Sequence, residues 1–353
     1  MPGPEAVRTI EWLGDRVRFI DQTRLPDDLS TVETSDHRVL VRAIARLEIR
    51  GAPAIGVAAA LGVALAARAS GASDAGGFAR DVEAAAAELG SARPTAVNLR
   101  WAVDRMRAAL ARSAAAGPAA AREALVGEAV AMLEEDRALC RRIGEHGARL
   151  IEDGDTVLTH CNAGALATAG DGTALSVVYA AAAQGKRVRV LADETRPLLQ
   201  GARLTAWELR ERGVDVTVLC DGASASAMAA GRVSKVIVGA DRIAANGDVA
   251  NKVGTLPVAI AAARHGVPFL VAAPYSTLDR ETPDGASIPI EERAGDEVAF
   301  CGGRRVVPEG VRVWNPAFDV TPADLVAAII TDRGVFRPPY GVSLRGAAGP
   351  TGP

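Results

Sequence analysis

The sequence predicts an α/β protein in two parts: a mainly helical N-terminal region with a small β hairpin, then a parallel sheet covered by helices on both faces. Three observations predict it. Apolar residues in the first third recur at helical spacing. From Thr156 onward, short β-rich runs alternate with helical ones. Those β-rich runs are almost continuously apolar, as strands buried on both faces are. The 353 residues suffice for roughly two domains. The break AAGPA at residues 115–119 sets the expected boundary, giving domains of residues 1–118 and 119–343. A Gly/Pro-rich tail, residues 344–353, is expected to be disordered.

In order along the chain, residues 7–12 and 16–20 read as the strands of the hairpin. Residues 35–47 place Val39, Leu40, Ala43, Ile44 and Leu47 on one helical face. The uncharged run 51–67 is at the lower length limit of a membrane span, and its Ala and Gly content favours a buried helix over residues 54–69. Helices are expected at 75–89, 95–112 and 119–151. Strands follow at 156–161, 187–193, 216–220, 235–241 and 269–273, with helices at 173–184, 205–212, 224–230 and 255–265 between them. A last helix is expected to start at Thr321 as N-cap, with Pro322 as its first residue and Gly334 as its stop.

Composition narrows the function. Net charge is −3 with no run of like charge, which argues against nucleic acid or an anionic membrane as partner. Cys140, Cys161, Cys220 and Cys301 form no CxxC pair and the histidines form no HExxH, so neither a zinc site nor a disulfide scaffold is expected. No GxGxxG or GxxxxGK[ST] supports a nucleotide site. The N-terminus lacks a basic-then-apolar leader pattern, so a cytoplasmic location is expected.

Ligands of open α/β sheets bind beyond the carboxyl ends of the strands. Those ends carry Cys161, Asp193-Glu194, Asp221 and Asp241. Asp favours strand-to-helix turns anyway, and Asp221 in CDGAS fits that plainer reading. Asp241 lies in a denser stretch, VGADRIAANGDVANKVGT, whose Asn251 and Lys252 suit a substrate hydroxyl or phosphate. A lone cysteine is most often a small buried hydrophobe. The position of Cys161, at a strand end before a Gly-containing loop and a helix N-terminus, favours chemistry more than the residue type alone does. Arg50-Gly51-Ala52-Pro53 joins a guanidinium to a helix start, which suits a phosphate. On spacing alone an ordinary helix junction is the commoner reading there, and a surface loop is the commoner reading for Arg93 in SARPT.

These residues fall in longer motifs: DQTRLP (21–26), RGAPAIG (50–56), THCNAGALAT (159–168), ADETRPLLQGARLTAWEL (192–209), VGADRIAANGDVANKVGT (238–255), IPIEER (288–293) and NPAFDVTPADL (315–325). In this order and over nearly the whole chain, they resemble the S-methyl-5-thioribose-1-phosphate isomerase family of methionine salvage. The resemblance implies a Rossmann-like C-terminal domain, a homodimer, and no metal or nucleotide cofactor. It implies Cys161 and Asp241 as the catalytic pair. It assigns substrate contacts to Arg50, Gly51, Ala52, Arg93, Gln200, Asn251 and Lys252. The implied reaction converts S-methyl-5-thio-α-D-ribose 1-phosphate to S-methyl-5-thio-D-ribulose 1-phosphate. Asp241 is then expected to be protonated in a dry pocket shared with Cys161. Two alternatives share the fold: an isomerase of ribose 1,5-bisphosphate or another 5-substituted sugar phosphate, and a non-enzymatic regulatory subunit of the eukaryotic translation-initiation exchange factor.

Overall fold

The computed structural model describes residues 7–93 and 96–346. The chain forms two compact units. One runs through Leu139 and includes Ala165–Gly172; the other comprises Cys140–Gly164 and the chain from Thr173 onward.

The helical unit begins with β1 (Ile10–Trp12), β2 (Val17–Ile20) and β3 (Thr31–Thr34), an antiparallel sheet in that order. The sequence predicts only a hairpin, because the third strand, TVET, is exposed or half-buried and carries no apolar alternation. The helices are α1 (His37–Ala45), α2 (Ala52–Ala69), α3 (Ala75–Ser91), α4 (Val97–Ser113) and α5 (Pro118–Ala148). Asp36 and Asp74 cap α1 and α3 by accepting from Arg38 N–H and Gly77 N–H. Residue 95, the expected start of α4, lies outside the described residues.

Helix α2 is the centre of this unit. Every residue from Ala54 to Ala67 is buried, and the helix packs against α1, α3 and α4. Its small side chains allow that close approach on all sides, so the apolar run is a core helix. Arg122 of α5 closes its C-terminal end by donating to the carbonyls of Ala67 (2.9 Å) and Ser70 (3.1 Å).

The AAGPA break is real: Gly117 has φ 87° and Pro118 opens α5. It does not divide the cores. Ala121, Leu125, Ala129, Met132 and Leu133 of α5 pack in the helical unit, whereas Ile143 and Ala148 pack in the sheet unit. The units therefore part at Leu139/Cys140, inside one continuous helix, rather than near residue 118.

In chain order the sheet unit contains β4 (Thr156–Thr159), α6 (Ala174–Ala183), β5 (Arg189–Asp193), α7 (Ala206–Glu211), β6 (Asp215–Leu219), α8 (Ser224–Ala229), β7 (Lys235–Val238), β8 (Arg242–Ala244), β9 (Val249–Lys252), α9 (Thr255–His265), β10 (Phe269–Ala272), β11 (Leu278–Asp279), α10 (Asp296–Ala299), β12 (Phe300–Cys301), β13 (Arg304–Arg305), β14 (Phe318–Thr321), β15 (Ala328–Thr331), β16 (Gly334–Phe336) and α11 (Tyr340–Gly346). Seven strands form one sheet, ordered β16-β15-β10-β7-β4-β5-β6, parallel except for β16. Its two faces build two cores. Val157, Ile237 and Leu270 face α6 and the end of α5; their neighbours Leu158, Val236 and Phe269 face α8 and α9. Burial on both faces explains the continuous apolar strands.

The sequence expectation fails in two places. Strands β8 and β9 form a hairpin within a second sheet, β11-β8-β9-β14. The expected last helix is not formed. Thr321 ends β14, Pro322 is extended (φ −59°, ψ 144°) and Ala323–Leu325 is a single turn. The apolar run beyond it is β15, fully buried beside β10, and Gly334 (φ 139°) opens the strand that returns on it. A short apolar run bounded by turn residues fits a buried strand as well as a helix, and here the strand wins. The tail expectation is also corrected in part. Residues 344–346 belong to α11, where Leu344 is buried, and residues 347–353 lie outside the described residues.

Helix α5 approaches α6 through two glycines. A Cβ at Gly144 would lie 2.7 Å from the carbonyl oxygen of Ser176, and one at Gly147 would overlap the Val177 side chain. Gly144→Ala is therefore expected to destabilise the protein by about 1–3 kcal/mol, although alanine is the better helix former by about 1 kcal/mol. Urea unfolding measures the change, and a net gain in stability would contradict this close packing.

Candidate active site

Strands β4 and β7 are adjacent and parallel, so their carboxyl ends open on the same edge of the sheet. Cys161 lies just past β4 and Asp241 just past β7. The two segments touch: a Cβ at Gly239 would come 2.8 Å from the Ala163 methyl. Strand β5 flanks β4 on its other side and delivers Asp193, Thr195 and Gln200 to this edge.

Cys161 is held in the left-handed region, φ 65°, which costs a non-glycine residue about 1–2 kcal/mol. Two buried threonines fix it there. Thr195 Oγ1 accepts from Cys161 N–H at 2.8 Å, and Thr205 Oγ1 donates to the Cys161 carbonyl at 2.7 Å. Thr195 is anchored in turn, because Asp221 accepts from the N–H groups of Thr195 and Arg196, each at 2.7 Å. Asp221 thus organises a loop, as its turn-forming sequence suggests.

The small residues after Cys161 make room for buried polar groups. Asn162 Nδ2 donates to Thr205 Oγ1 (3.1 Å) and to Glu208 Oε1 (3.2 Å), and Glu208 is fully buried. A Cβ at Gly164 would overlap that carboxylate, and one at Gly201 would overlap the Asp193 carbonyl oxygen. Gly201–Thr205 forms a π-helical turn that leads into α7, a local distortion common near functional sites. Gln200 is buried and its Oε1 has no hydrogen-bond partner among the described residues. An acceptor in that state suits a ligand hydroxyl.

His160, immediately before Cys161, is buried and has a hydrogen-bond partner on each side of its ring. Its Nδ1 lies 3.1 Å from Asp193 Oδ2 and its Nε2 lies 2.9 Å from the Val253 carbonyl oxygen. Both partners only accept, so hydrogen bonds on both sides of the ring require its doubly protonated, cationic form. Burial disfavours that charge. The Asp193 hydrogen bond and charge, helped by the Val253 carbonyl, outweigh it and hold the pKa above the ordinary histidine value. The second oxygen of Asp193 accepts from Ser224 Oγ. His160, Asp193 and Asp221 bring potential metal ligands within 4.8 Å of one another, but the hydrogen bonds above already commit those atoms.

Asp241 N–H donates to the Ala250 carbonyl at 2.9 Å, and the β8–β9 pairing places Asp241 beside Asn251. Asn251 is buried, its Nδ2 donating to Thr255 Oγ1 at 3.0 Å. Lys252 Nζ donates to the Ala317 carbonyl at 2.8 Å and lies 4.5 Å over the Phe318 ring. Asp319 caps α9 by accepting from Gly254 N–H (2.7 Å) and Leu256 N–H (3.1 Å); burial raises its pKa although those amides oppose the shift. One expectation is corrected here. Asp241 is exposed, not enclosed in a dry pocket, because the turn between β7 and β8 carries it to the surface of the unit.

Arg50, Gly51, Ala52 and Arg93 belong to the helical unit. Gly51 is the N-cap of α2, with φ 92°, and no side chain caps that end. A Cβ on Gly51 would lie 2.5 Å from the Ala167 backbone, so glycine is required twice over. Helix α2 starts at Ala52 and Pro53 is its second residue. Arg50 and Arg93 are half-buried.

Sequence reasoning missed His160, Thr195, Thr205 and Glu208. His160 and Thr195 stand beside strand ends already in view, whereas Thr205 and Glu208 lie in the π turn and α7, and none of the four has a spacing that marks it.

Residues 48–338 match the initiation factor 2 subunit family. The chain is 55% identical over 336 residues to the 5-deoxyribose 1-phosphate isomerase of Moorella thermoacetica, covering 95% of this chain and 96% of that one. It is 55% identical over 340 residues to the methylthioribose-1-phosphate isomerase of Heliobacterium modesticaldum, covering 96% and 99%. The crystal structure of 5-methylthioribose 1-phosphate isomerase from Pyrococcus horikoshii superposes with a TM-score of 0.93 at 44% identity, covering 96% of this chain and 95% of that one.

Thr205→Val removes the hydroxyl that serves both the Cys161 carbonyl and the Asn162 amide. The expected cost is about 1–3 kcal/mol, as for buried polar groups left unsatisfied, with most of it recovered in Thr205→Ser. Denaturant unfolding checks this; equal stability of the Val and Ser variants would contradict the hydrogen-bonding role.

Proposed function

The chain belongs to the initiation factor 2 subunit family, and from that membership and the strand-end cluster we infer that it is an aldose–ketose isomerase. It converts S-methyl-5-thio-α-D-ribose 1-phosphate to S-methyl-5-thio-D-ribulose 1-phosphate in methionine salvage, the activity named for its Heliobacterium and Pyrococcus relatives. The observation that carries the reading is the placement of Cys161 and Asp241 beyond adjacent parallel strands of one sheet.

The chemistry explains why an acid and a thiol are needed together. Carbon C1 of the substrate carries a phosphoryl ester, so the ring cannot open as a free hemiacetal does. A proton must reach the ring oxygen as its bond to C1 breaks, which leaves positive charge on C1. Hydrogen then moves from C2 to C1, and the C2 hydroxyl loses its proton to become the ketone. The transfer is internal to the sugar, so the balance needs no redox cofactor. In our reading Asp241 gives the proton to the ring oxygen, and Cys161 handles the proton of C2 or of its hydroxyl. Because Asp241 is exposed, a sugar bound over this carboxyl would have to shield it from water, the condition under which a carboxyl keeps its proton. Gln200 Oε1, Asn251 and Lys252 fit the sugar hydroxyls and phosphate. Within the helical unit, Arg50 and Arg93 carry guanidinium groups and Gly51-Ala52 an uncapped helix start, chemistry that suits a phosphate.

The Moorella relative favours a second substrate, 5-deoxyribose 1-phosphate. Both sugars end in an apolar C5, whereas ribose 1,5-bisphosphate ends in a second phosphate. Side-by-side assays are expected to rank the two apolar sugars well above the bisphosphate; preference for the bisphosphate would overturn this assignment. We also propose a cytoplasmic homodimer, which sedimentation at working concentration tests.

Cys161→Ser and Asp241→Asn are each expected to lower kcat by about 10²–10⁴-fold while leaving the unfolding transition in place. Near-normal turnover would remove that residue from the mechanism. In heavy water, solvent deuterium at C1 of the product would mark proton transfer through an enediol-like species, and its absence a direct hydride shift.

A further inference from the structure

We propose that His160 is a positioning residue for this isomerisation: a buried cation that fixes the Cys161 turn against the hairpin carrying Asp241, Asn251 and Lys252, and does so only while both ring nitrogens are protonated. The proposal rests on the isomerase reading above. The ring is 1% exposed and its partner Asp193 is 0% exposed. A fully buried ion pair contributes little net stability over an apolar pair of the same shape, so its presence here asks for a reason beyond folding.

Position supplies the reason. The ring bonds to Asp193 at the end of β5 and to Val253 just after β9, and it is itself joined to Cys161. Val253 follows Lys252 directly. One ring therefore ties the thiol, through one peptide link on each side, to the strand that carries Asn251 and Lys252 and pairs with the start of the Asp241 segment. A neutral imidazole has only one donor. Loss of either proton would leave Asp193 or the Val253 carbonyl facing a lone pair at a distance set for a hydrogen bond. Gly254 sharpens the constraint: a Cβ there would lie 2.6 Å from His160 Cε1, so the start of α9 is packed directly on the ring.

The charged groups facing the ring come from three elements. They are Asp193 of β5, Asp221 ahead of α8, and Asp319 of β14, the last two acting through space. All are carboxylates and all favour the cation. Because the folded-state pKa of His160 is raised, its contribution is complete below the ordinary histidine value and is lost as pH rises through the folded one. Activity that depends on the clamp is lost on the same alkaline side.

The test measures kcat and KM between about pH 6 and about pH 9 for the full chain and for Asp193→Asn and His160→Gln. Nitrogen-15 spectra of the imidazole rings are recorded on the same samples. Asp193→Asn keeps the shape and removes the charge that retains the proton. We expect the wild-type ring to be doubly protonated at neutral pH and wild-type kcat to fall on the alkaline side. In Asp193→Asn that fall moves to lower pH. At alkaline pH its kcat is expected to drop about 10–100-fold below wild type, the scale of a small misplacement of reacting groups, with KM changed less. A neutral His160 in the active wild type, or an unchanged pH profile in Asp193→Asn, would overturn the proposal. If His160→Gln fails to fold, Asp193→Asn and the spectra still decide. A folded wild-type chain with no isomerase activity would instead overturn the isomerase reading.

Discussion

A single buried charge holds the carboxyl edge of the sheet together. The His160 imidazolium lies between the Asp193 carboxylate and the Val253 carbonyl, out of reach of water. Such a charge is tolerated only when its hydrogen-bonding capacity is met, and here both ring protons are used. Three chain segments then have little freedom: the end of β4, the end of β5 and the exit from β9. Other details follow from this. Ser224 supports Asp193 from the side away from the ring. Gly254 must be glycine because the ring occupies the space of its Cβ and because its φ is 104°. Asp319 then caps α9 from β14, since glycine offers α9 no side-chain cap.

Around that fixed point the structure concentrates strain and buried polar groups. Cys161, Thr195 and Leu199 all have positive φ, and Gly201–Thr205 widens into a π turn. Such conformations persist only where neighbours over-determine them. Thr195 and Thr205 do this for the thiol by holding both sides of its backbone. The small residues Gly164 and Gly201 are the counterpart, since each leaves space that a buried oxygen fills. A cysteine at a strand end followed by a glycine-containing loop is therefore a rigid mount, in which the backbone is immobilised and the thiol remains partly exposed.

The fold was legible where periodicity was long or repeated. The βα alternation was readable because its central strands β4, β7 and β10 are buried on both faces and bounded by turns, while the exposed edge strand β6 still carries a β-branched run, and α9 was expected at its observed limits, Thr255–His265. The run after Pro322 was misread because four buried residues, Ala328–Thr331, have no period that separates strand from helix. The β8–β9 hairpin was hidden inside a stretch whose polar residues drew attention to chemistry instead of pairing. Cys161 and Asp241 were visible as strand-end residues, and adjacency of β4 and β7 supplied what one dimension cannot. His160 and Glu208 were not visible. A buried charged side chain is identified by its partners, and Asp193, Val253 and Asn162 reach them only through the fold.

The central claim is that Cys161 and Asp241 serve one reacting sugar from adjacent strand ends. A crystal structure of the protein with the product ketose phosphate bound tests it most directly. The account predicts the Cys161 sulfur and the Asp241 carboxyl both in contact with the sugar around C1, C2 and the former ring oxygen. A ligand that touches only one of the two, with the other facing away across packed side chains, would contradict it.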